Sequence, residues 1–311
     1  MPIKMMGRGV LLFIVGPTAI GKTALSVKLA GRIKGEVISA DSMQVYKGMR
    51  ILSQSPGPSE KGGVKHHLVG VIDPGKEYSV ASFCKAASAK AASILKRKKI
   101  PVIVGGSGLY VRALIDGLFP SPPADVKFRS SMQRFIAAHG SGRLHKKLSK
   151  IDPEAAAGIH PNDARRIIRA LEVHHSTGKT MTELKARTKG LAARYDIKIF
   201  ALTAPRERIY TNINSRVDRM FADGAVAEVK RLRKKRLSKT AKAVLGFKEV
   251  CGYLDGEYGL EEAKELVKVN TRHFAKRQFT WFRADPRIEW FDVSRIKEDK
   301  IIKNMINRSE R

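Results

Sequence analysis

Three short stretches of this chain bring together residue types that do chemistry. The first is Gly16-Pro17-Thr18-Ala19-Ile20-Gly21-Lys22-Thr23, which fits G-x-x-x-x-G-K-[ST]. Glycines at this spacing let the backbone curl until several N–H groups face phosphate oxygens. The lysine adds a cation, and the Thr23 hydroxyl is placed to ligate Mg²⁺. The second is Ile38-Ser39-Ala40-Asp41-Ser42-Met43-Gln44-Val45-Tyr46. A carboxylate at Asp41 would take a proton from a nucleophile or hold a metal-bound water; the same residue reads equally well as a helix N-cap. The third is Gly105-Gly106-Ser107-Gly108-Leu109-Tyr110. Its glycines allow close backbone approach and Ser107 offers a hydroxyl, yet a plain tight turn uses the same residues.

A phosphate loop announces a phosphorylated ligand without naming it. The usual nucleotide triphosphatase adds an apolar strand ending in an acid that helps hold Mg²⁺. Here Pro101-Val102-Ile103-Val104 runs into glycines instead. That weakens an ATPase reading and favours some other diphosphate.

The elements that must position these residues alternate. Val10–Val15 reads as a buried strand, Lys22–Arg32 as a helix and Glu36–Ala40 as a strand. Ala81–Lys98 has helical spacing, and Ile100–Val104 is a further buried strand. This order predicts an α/β fold with a parallel sheet flanked by helices. In such sheets ligands bind beyond the carboxyl ends of the strands, where all three stretches fall. A proline-rich break, Phe119-Pro120-Ser121-Pro122-Pro123, opens a segment with no clear strands. The expected organisation is a P-loop-containing core of residues 1–119 plus 195–311, carrying an all-helical insertion over 120–194. Tyr195–Leu202 returns to strand character, long helical patterns run to Arg283, and Arg287–Val293 reads as a last strand. The tail beyond Ser294 is polar and basic and reads as frayed.

Sixty Lys and Arg oppose 29 Asp and Glu, a net charge of +31, which calls for a polyanionic partner, nucleic acid above all. No apolar run approaches the length of a membrane span, and Val10–Val15 is too short for a signal-peptide core. Cys84 and Cys251 alone make no disulfide framework, which points to a reducing, cytoplasmic setting.

In this order the residues resemble the tRNA dimethylallyltransferase family, the adenine-37 isopentenyl transferases, over nearly the whole chain. Asp41-Ser42-Met43-Gln44-Val45-Tyr46-Lys47-Gly48-Met49 follows the phosphate loop. Then come His66-His67-Leu68, Asp73-Pro74 with Tyr78-Ser79-Val80, and Gly105–Tyr110. His160-Pro161-Asn162-Asp163 leads into Arg165, Arg166, Arg169 and Ala170–Val173, with Thr177-Gly178-Lys179 beyond. Asn214-Ser215-Arg216-Val217-Asp218 and Lys276–Arg283 complete the set. The resemblance implies a monomer that moves a dimethylallyl group from dimethylallyl diphosphate to N6 of an adenine beside the tRNA anticodon. It implies donor contacts at Gly16, Thr18, Ala19, Ile20, Gly21, Lys22 and Thr23, with Mg²⁺ on Thr23. Asp41 would be the general base, Ser107 a hydrogen-bonding group near the reacting centre, and Arg216 a second cation on the leaving group; taken by itself, Arg216 reads as a helix-surface residue.

For the anticodon stem-loop the resemblance implies contacts at Asp41, Ser42, Met43, Gln44, Ser107, Arg129, Arg165, Arg166, Arg169, Gly246, Lys276, Arg277, Gln278 and Arg283. Helical spacing puts Arg272, Lys276, Phe279 and Arg283 on one stripe, with Phe279 free to stack on a base and Phe274 and Trp281 facing the core. The adjacent pairs His66-His67 and His174-His175 suit structural hydrogen bonding better than metal. One stretch departs: Arg50-Ile51-Leu52-Ser53-Gln54-Ser55-Pro56 stands where the family commonly runs Asp-Ile-Gly-Thr-Ala-Lys-Pro. The rival readings are a small-metabolite kinase, an isopentenyl transferase acting on free AMP or ATP, and a non-catalytic RNA-binding protein. The kinase leaves the basic stripes without a purpose, and the small-acceptor enzyme needs no helical insertion.

Overall fold

The structure, a computed structural model, describes residues 8–120 and 122–310; Ser121 of the proline-rich break lies outside them. Among the described residues six strands form one sheet in the order β3-β2-β4-β1-β5-β6, every neighbouring pair parallel. They are β1 (Val10–Val15), β2 (Glu36–Ser39), β3 (His66–His67), β4 (Pro101–Gly105), β5 (Asp196–Thr203) and β6 (Ile288–Asp292). All six residues of β1 are buried, as a central strand covered on both faces requires.

The helices alternate with them. In the first part of the chain lie α1 (Lys22–Arg32), α2 (Arg50–Ser53), α3 (Val80–Lys96) and α4 (Gly108–Asp116). Then come α5 (Val126–His139), α6 (Ser141–Ile151), α7 (Pro153–Ala157), α8 (Ala164–Thr177) and α9 (Met181–Ala186). The remainder are α10 (Arg206–Ala222), α11 (Ala225–Leu232), α12 (Lys239–Lys242), α13 (Phe247–Leu254), α14 (Leu260–Arg283) and α15 (Glu298–Ser309). The last corrects the expectation of a frayed tail. Ile301, Ile302 and Met305 recur at helical spacing and are buried, and Arg32 of α1 pairs with Asp299 at 2.5 Å.

The chain divides into two compact units, Met1–Ile115 with Leu191–Arg311, and Asp116–Gly190. The first holds the sheet and its large core. Core structure resumes at Leu191 rather than at 195 because that side chain is buried in the main core. Described by itself, the second unit is helical and has its own core of Leu144, Leu148, Ile167, Ile168 and Leu171. Its organising polar residue is Glu172, fully buried on α8. Glu172 accepts the Asp125 backbone N–H at 2.7 Å, two bonds from Arg129 at 2.8 Å each, and one from Arg169. Burial alone would raise the pKa of this carboxyl; the hydrogen bonds outweigh it and hold the group at about 2.

Candidate active site

The loop between β1 and α1 is shaped by the chemistry of its residues. Gly16 has φ 134°, and a Cβ there would stand 2.8 Å from the Leu202 carbonyl, so only glycine fits. Ala19 is also left-handed, and the first turn of α1 contains no acid. A loop of this form, opening a helix, turns N–H groups and positive potential toward an anion. Lys22 Nζ donates to the Pro17 carbonyl at 2.6 Å. Burial and the neighbouring Arg216 drive its pKa down to about 7, against the opposing pull of Asp41.

Two residues from distant helices brace this loop. Arg216 of α10 donates through Nη1 to Thr18 Oγ1 at 3.0 Å, and burial lowers its pKa from the usual value. Gln278 of α14 accepts the Thr18 N–H on Oε1 at 2.9 Å and donates through Nε2 to the Gly106 carbonyl at 3.0 Å. Gln278 is thus a strut between the Gly16–Thr23 loop and the loop after β4. A Cβ on Gly106 would lie 2.0 Å from its Nε2, which is why the glycine is needed there.

Asp41 follows β2 and caps a turn rather than a helix. Its Oδ1 accepts from the N–H groups of Met43 at 2.8 Å and Gln44 at 3.4 Å, capping the turn that follows. This fixes the carboxylate; Oδ2 has no hydrogen bond among the described residues. Ser107 Oγ accepts the Ser42 N–H at 3.1 Å, tying the third stretch to the second. The Gly16–Thr23 loop, Asp41, Ser107 and Arg216 therefore meet at the carboxyl ends of β1, β2 and β4. The fixed carboxylate, two cations and amide-lined loop suit a reaction that removes a proton while a diphosphate takes up negative charge.

Other expected contacts are placed differently. Gln278 is buried, not on an RNA-facing surface, because its amide spans two loops. Gln44 uses its side chain internally, accepting from Ser39 Oγ at 2.9 Å and donating to the Gln54 carbonyl at 3.2 Å. Gly246 is buried at the start of α13, beside Leu52 and Met220. Arg129 and Arg169 are committed to Glu172, with their side chains 41% and 26% exposed. Arg165, Arg166, Lys276, Arg277 and Arg283 are exposed. The aromatic assignments on α14 exchange. Phe279 stacks on Trp290 at 6.1 Å and packs against the core, whereas Phe274 is half-buried beneath the Arg277 guanidinium. Trp281 packs over Gly108.

Sequence reasoning missed the Gln278 strut and the Glu172 clamp. A signal existed for both. Gln278 interrupts the stripe Thr271, Ala275, Gln278, Phe282 that α14 buries, and Glu172 stands among Ala170, Leu171 and Val173. A polar residue inside an apolar face needs a partner.

Residues 44–285 match the model of the IPP transferase family, and residues 9–69 match that described as isopentenyl transferase. A tRNA dimethylallyltransferase of Carboxydothermus hydrogenoformans is 48% identical over 301 residues, covering 96% of this chain and 97% of the relative. One of Halothermothrix orenii is 47% identical over 91% of this chain and 88% of its own. The solved full-length tRNA isopentenylpyrophosphate transferase of Bacillus halodurans aligns with a TM-score of 0.72 at 42% identity, over 97% of this chain and 95% of that one. A eukaryotic dimethylallyltransferase solved acting on tRNA aligns at 0.78 and 28% identity, over 96% and 80%.

Proposed function

The chain belongs to the IPP transferase family of tRNA dimethylallyltransferases, and we propose that it moves a dimethylallyl group from dimethylallyl diphosphate to N6 of adenine 37, beside the tRNA anticodon. The observation that carries this reading is the convergence of Lys22 and Arg216 at the Gly16–Thr23 loop, near a carboxylate already oriented by Met43 and Gln44. Gly16–Thr23 acts as a P-loop for the diphosphate rather than for a nucleotide. N6 attacks the allylic carbon, the carbon–oxygen bond breaks, and diphosphate leaves with the electron pair. The N6 proton passes to Asp41. Lys22 and Arg216 neutralise the charge that grows on the leaving oxygen, where preorganised cations are worth most. Ser107, held at Ser42, hydrogen-bonds beside the amine.

Mg²⁺ fits this site as an ion brought with the donor. Among the described residues no group of three or more His, Cys, Asp or Glu could hold one alone. The Thr23 hydroxyl together with diphosphate oxygens makes the oxygen set this ion favours, and when bound it supplies further neutralising charge. The exposed cations of each unit, Arg165 and Arg166 in one and Lys276, Arg277 and Arg283 in the other, are proposed as tRNA phosphate contacts. Ser42 and Met43 flank the base that enters. The family resemblance suggests a monomer, and two free cysteines, Cys84 and Cys251, suit work in the reducing cytoplasm.

The test offers labelled dimethylallyl diphosphate and Mg²⁺ with unmodified tRNA, AMP or ATP. Label is expected in tRNA, at an adenine beside the anticodon. Asp41→Ala should slow the single-turnover rate by roughly 10²–10⁴ while tRNA still binds. Label confined to AMP or ATP, or an Asp41→Ala rate equal to the parent's, overturns the reading.

A further inference from the structure

Arg216 is a long cation whose direction must be set by something beyond its own helix. Nη1 reaches Thr18 Oγ1, and Nε donates to Gln54 Oε1 at 2.9 Å. Gln54 closes α2 with φ 52° and ψ 42°, a left-handed conformation that costs a side-chain-bearing residue free energy. That cost is offset by a turn held from three directions. Glu228 of α11, itself buried, accepts the N–H groups of Ile51 at 3.0 Å and Leu52 at 2.8 Å. Gln54 Nε2 donates back to the Ile51 carbonyl at 2.6 Å, and Gln44 Nε2 donates to the Gln54 carbonyl. With Nε2 on that carbonyl, Oε1 faces the guanidinium.

We propose that Gln54 is a positioning residue that fixes Arg216 on the leaving diphosphate. This rests on the reading of Arg216 given above. An amide suits the task better than a carboxylate. It accepts from Nε and so orients the guanidinium, but it leaves the positive charge available to the ligand. A carboxylate at the same place would hold Arg216 more tightly and cancel part of that charge.

The experiment is a calorimetric titration of inorganic diphosphate with Mg²⁺ into the parent chain, Gln54→Ala, Gln54→Gly, Gln54→Glu, Arg216→Ala and the Gln54→Ala/Arg216→Ala double variant. Gln54→Gly removes the amide while tolerating the left-handed backbone, so it separates loss of the hydrogen bond from strain. Gln54→Ala and Gln54→Gly should each weaken diphosphate by about tenfold, the size expected for one hydrogen bond to a charged group. Gln54→Glu should weaken it as well, although it supplies a stronger acceptor. In the Arg216→Ala background the Gln54 change should add nothing. Parent-like binding by both Gln54→Ala and Gln54→Gly overturns the proposal. So does an equal loss with and without Arg216, which would make Gln54 a general support of the fold. Failure of the parent chain to prenylate tRNA would sink the functional reading instead, because the diphosphate titration is read without any acceptor.

Discussion

At the scale of single residues, Lys22 has the most to reveal. Burial and Arg216 lower its pKa to about 7, so near neutrality the free chain holds a substantial fraction of it uncharged on the Pro17 carbonyl. A diphosphate placed beside it favours the charged form and draws the pKa back up. Binding is therefore coupled to proton uptake, and affinity falls as pH rises through 7 and above. Calorimetry of diphosphate binding at about pH 7.5, in buffers of different ionisation enthalpy, should show greater proton uptake by the parent than by Lys22→Met. Identical uptake would place the shifted proton elsewhere. Lys22 and Asp41 were legible because their meaning lies in local spacing. Gln54 was not, and for Gln278 local pattern signals only the need for a partner: those partners stand 162 and 172 residues away, at Arg216 and Gly106, and no local pattern encodes that distance.

At the scale of elements, the two-residue strand β3 poses a question of what holds an edge so short. Glu36, buried at the first position of β2, answers it by accepting from His67 Nε2 at 2.7 Å, Arg97 at 2.6 Å and Lys99 at 3.0 Å. Burial would raise its pKa, but these partners together hold it at about 2, below the unfolded value of 4.5. Its stabilising contribution is thus complete above about pH 4.5 and is lost as pH falls toward 2. Arg97 and Lys99 are partly exposed, so solvent screens them, and Glu36→Gln should cost about 2 kcal/mol at pH 7. The urea midpoints of parent and variant should converge between about pH 5 and 2; a gap that stays constant would remove the ionic account. The long strands were legible because apolar runs of four to six residues identify buried parallel strands. β3 has no such run, and α15 hid its short apolar stripe in a tail that is basic and polar on its other faces.

At the scale of the whole molecule, net charge indicates nucleic acid without saying which cations meet it. The fold divides them by duty. Arg129 and Arg169 are engaged with Glu172, so replacing either should loosen the Asp116–Gly190 unit. Arg165 and Arg166 are exposed on α8, Arg166 with its Nε 3.4 Å from the Asp163 carboxylate at the solvent-facing start of the helix. Replacing both with Ala should lower the slope of log Kobs against log salt for tRNA by about 0.7–0.9 for each phosphate left unneutralised, with the thermal midpoint held. An unchanged slope would take that face out of the interface. The helical unit could be anticipated from a segment without strands, and Glu172 among apolar neighbours signals a need for partners, but not which ones, since an arginine that binds phosphate and one that binds a buried glutamate look alike in sequence.

Helix α14 runs 24 residues without a glycine or proline inside it. Gln278 therefore shares a rigid body with Lys276, Arg277 and Arg283, which face solvent. The same helix also holds, through one amide, the Thr18 N–H and the Gly106 carbonyl. One unbroken helix thus carries both the brace between the two loops and three exposed cations, so a break within it would disturb both at once.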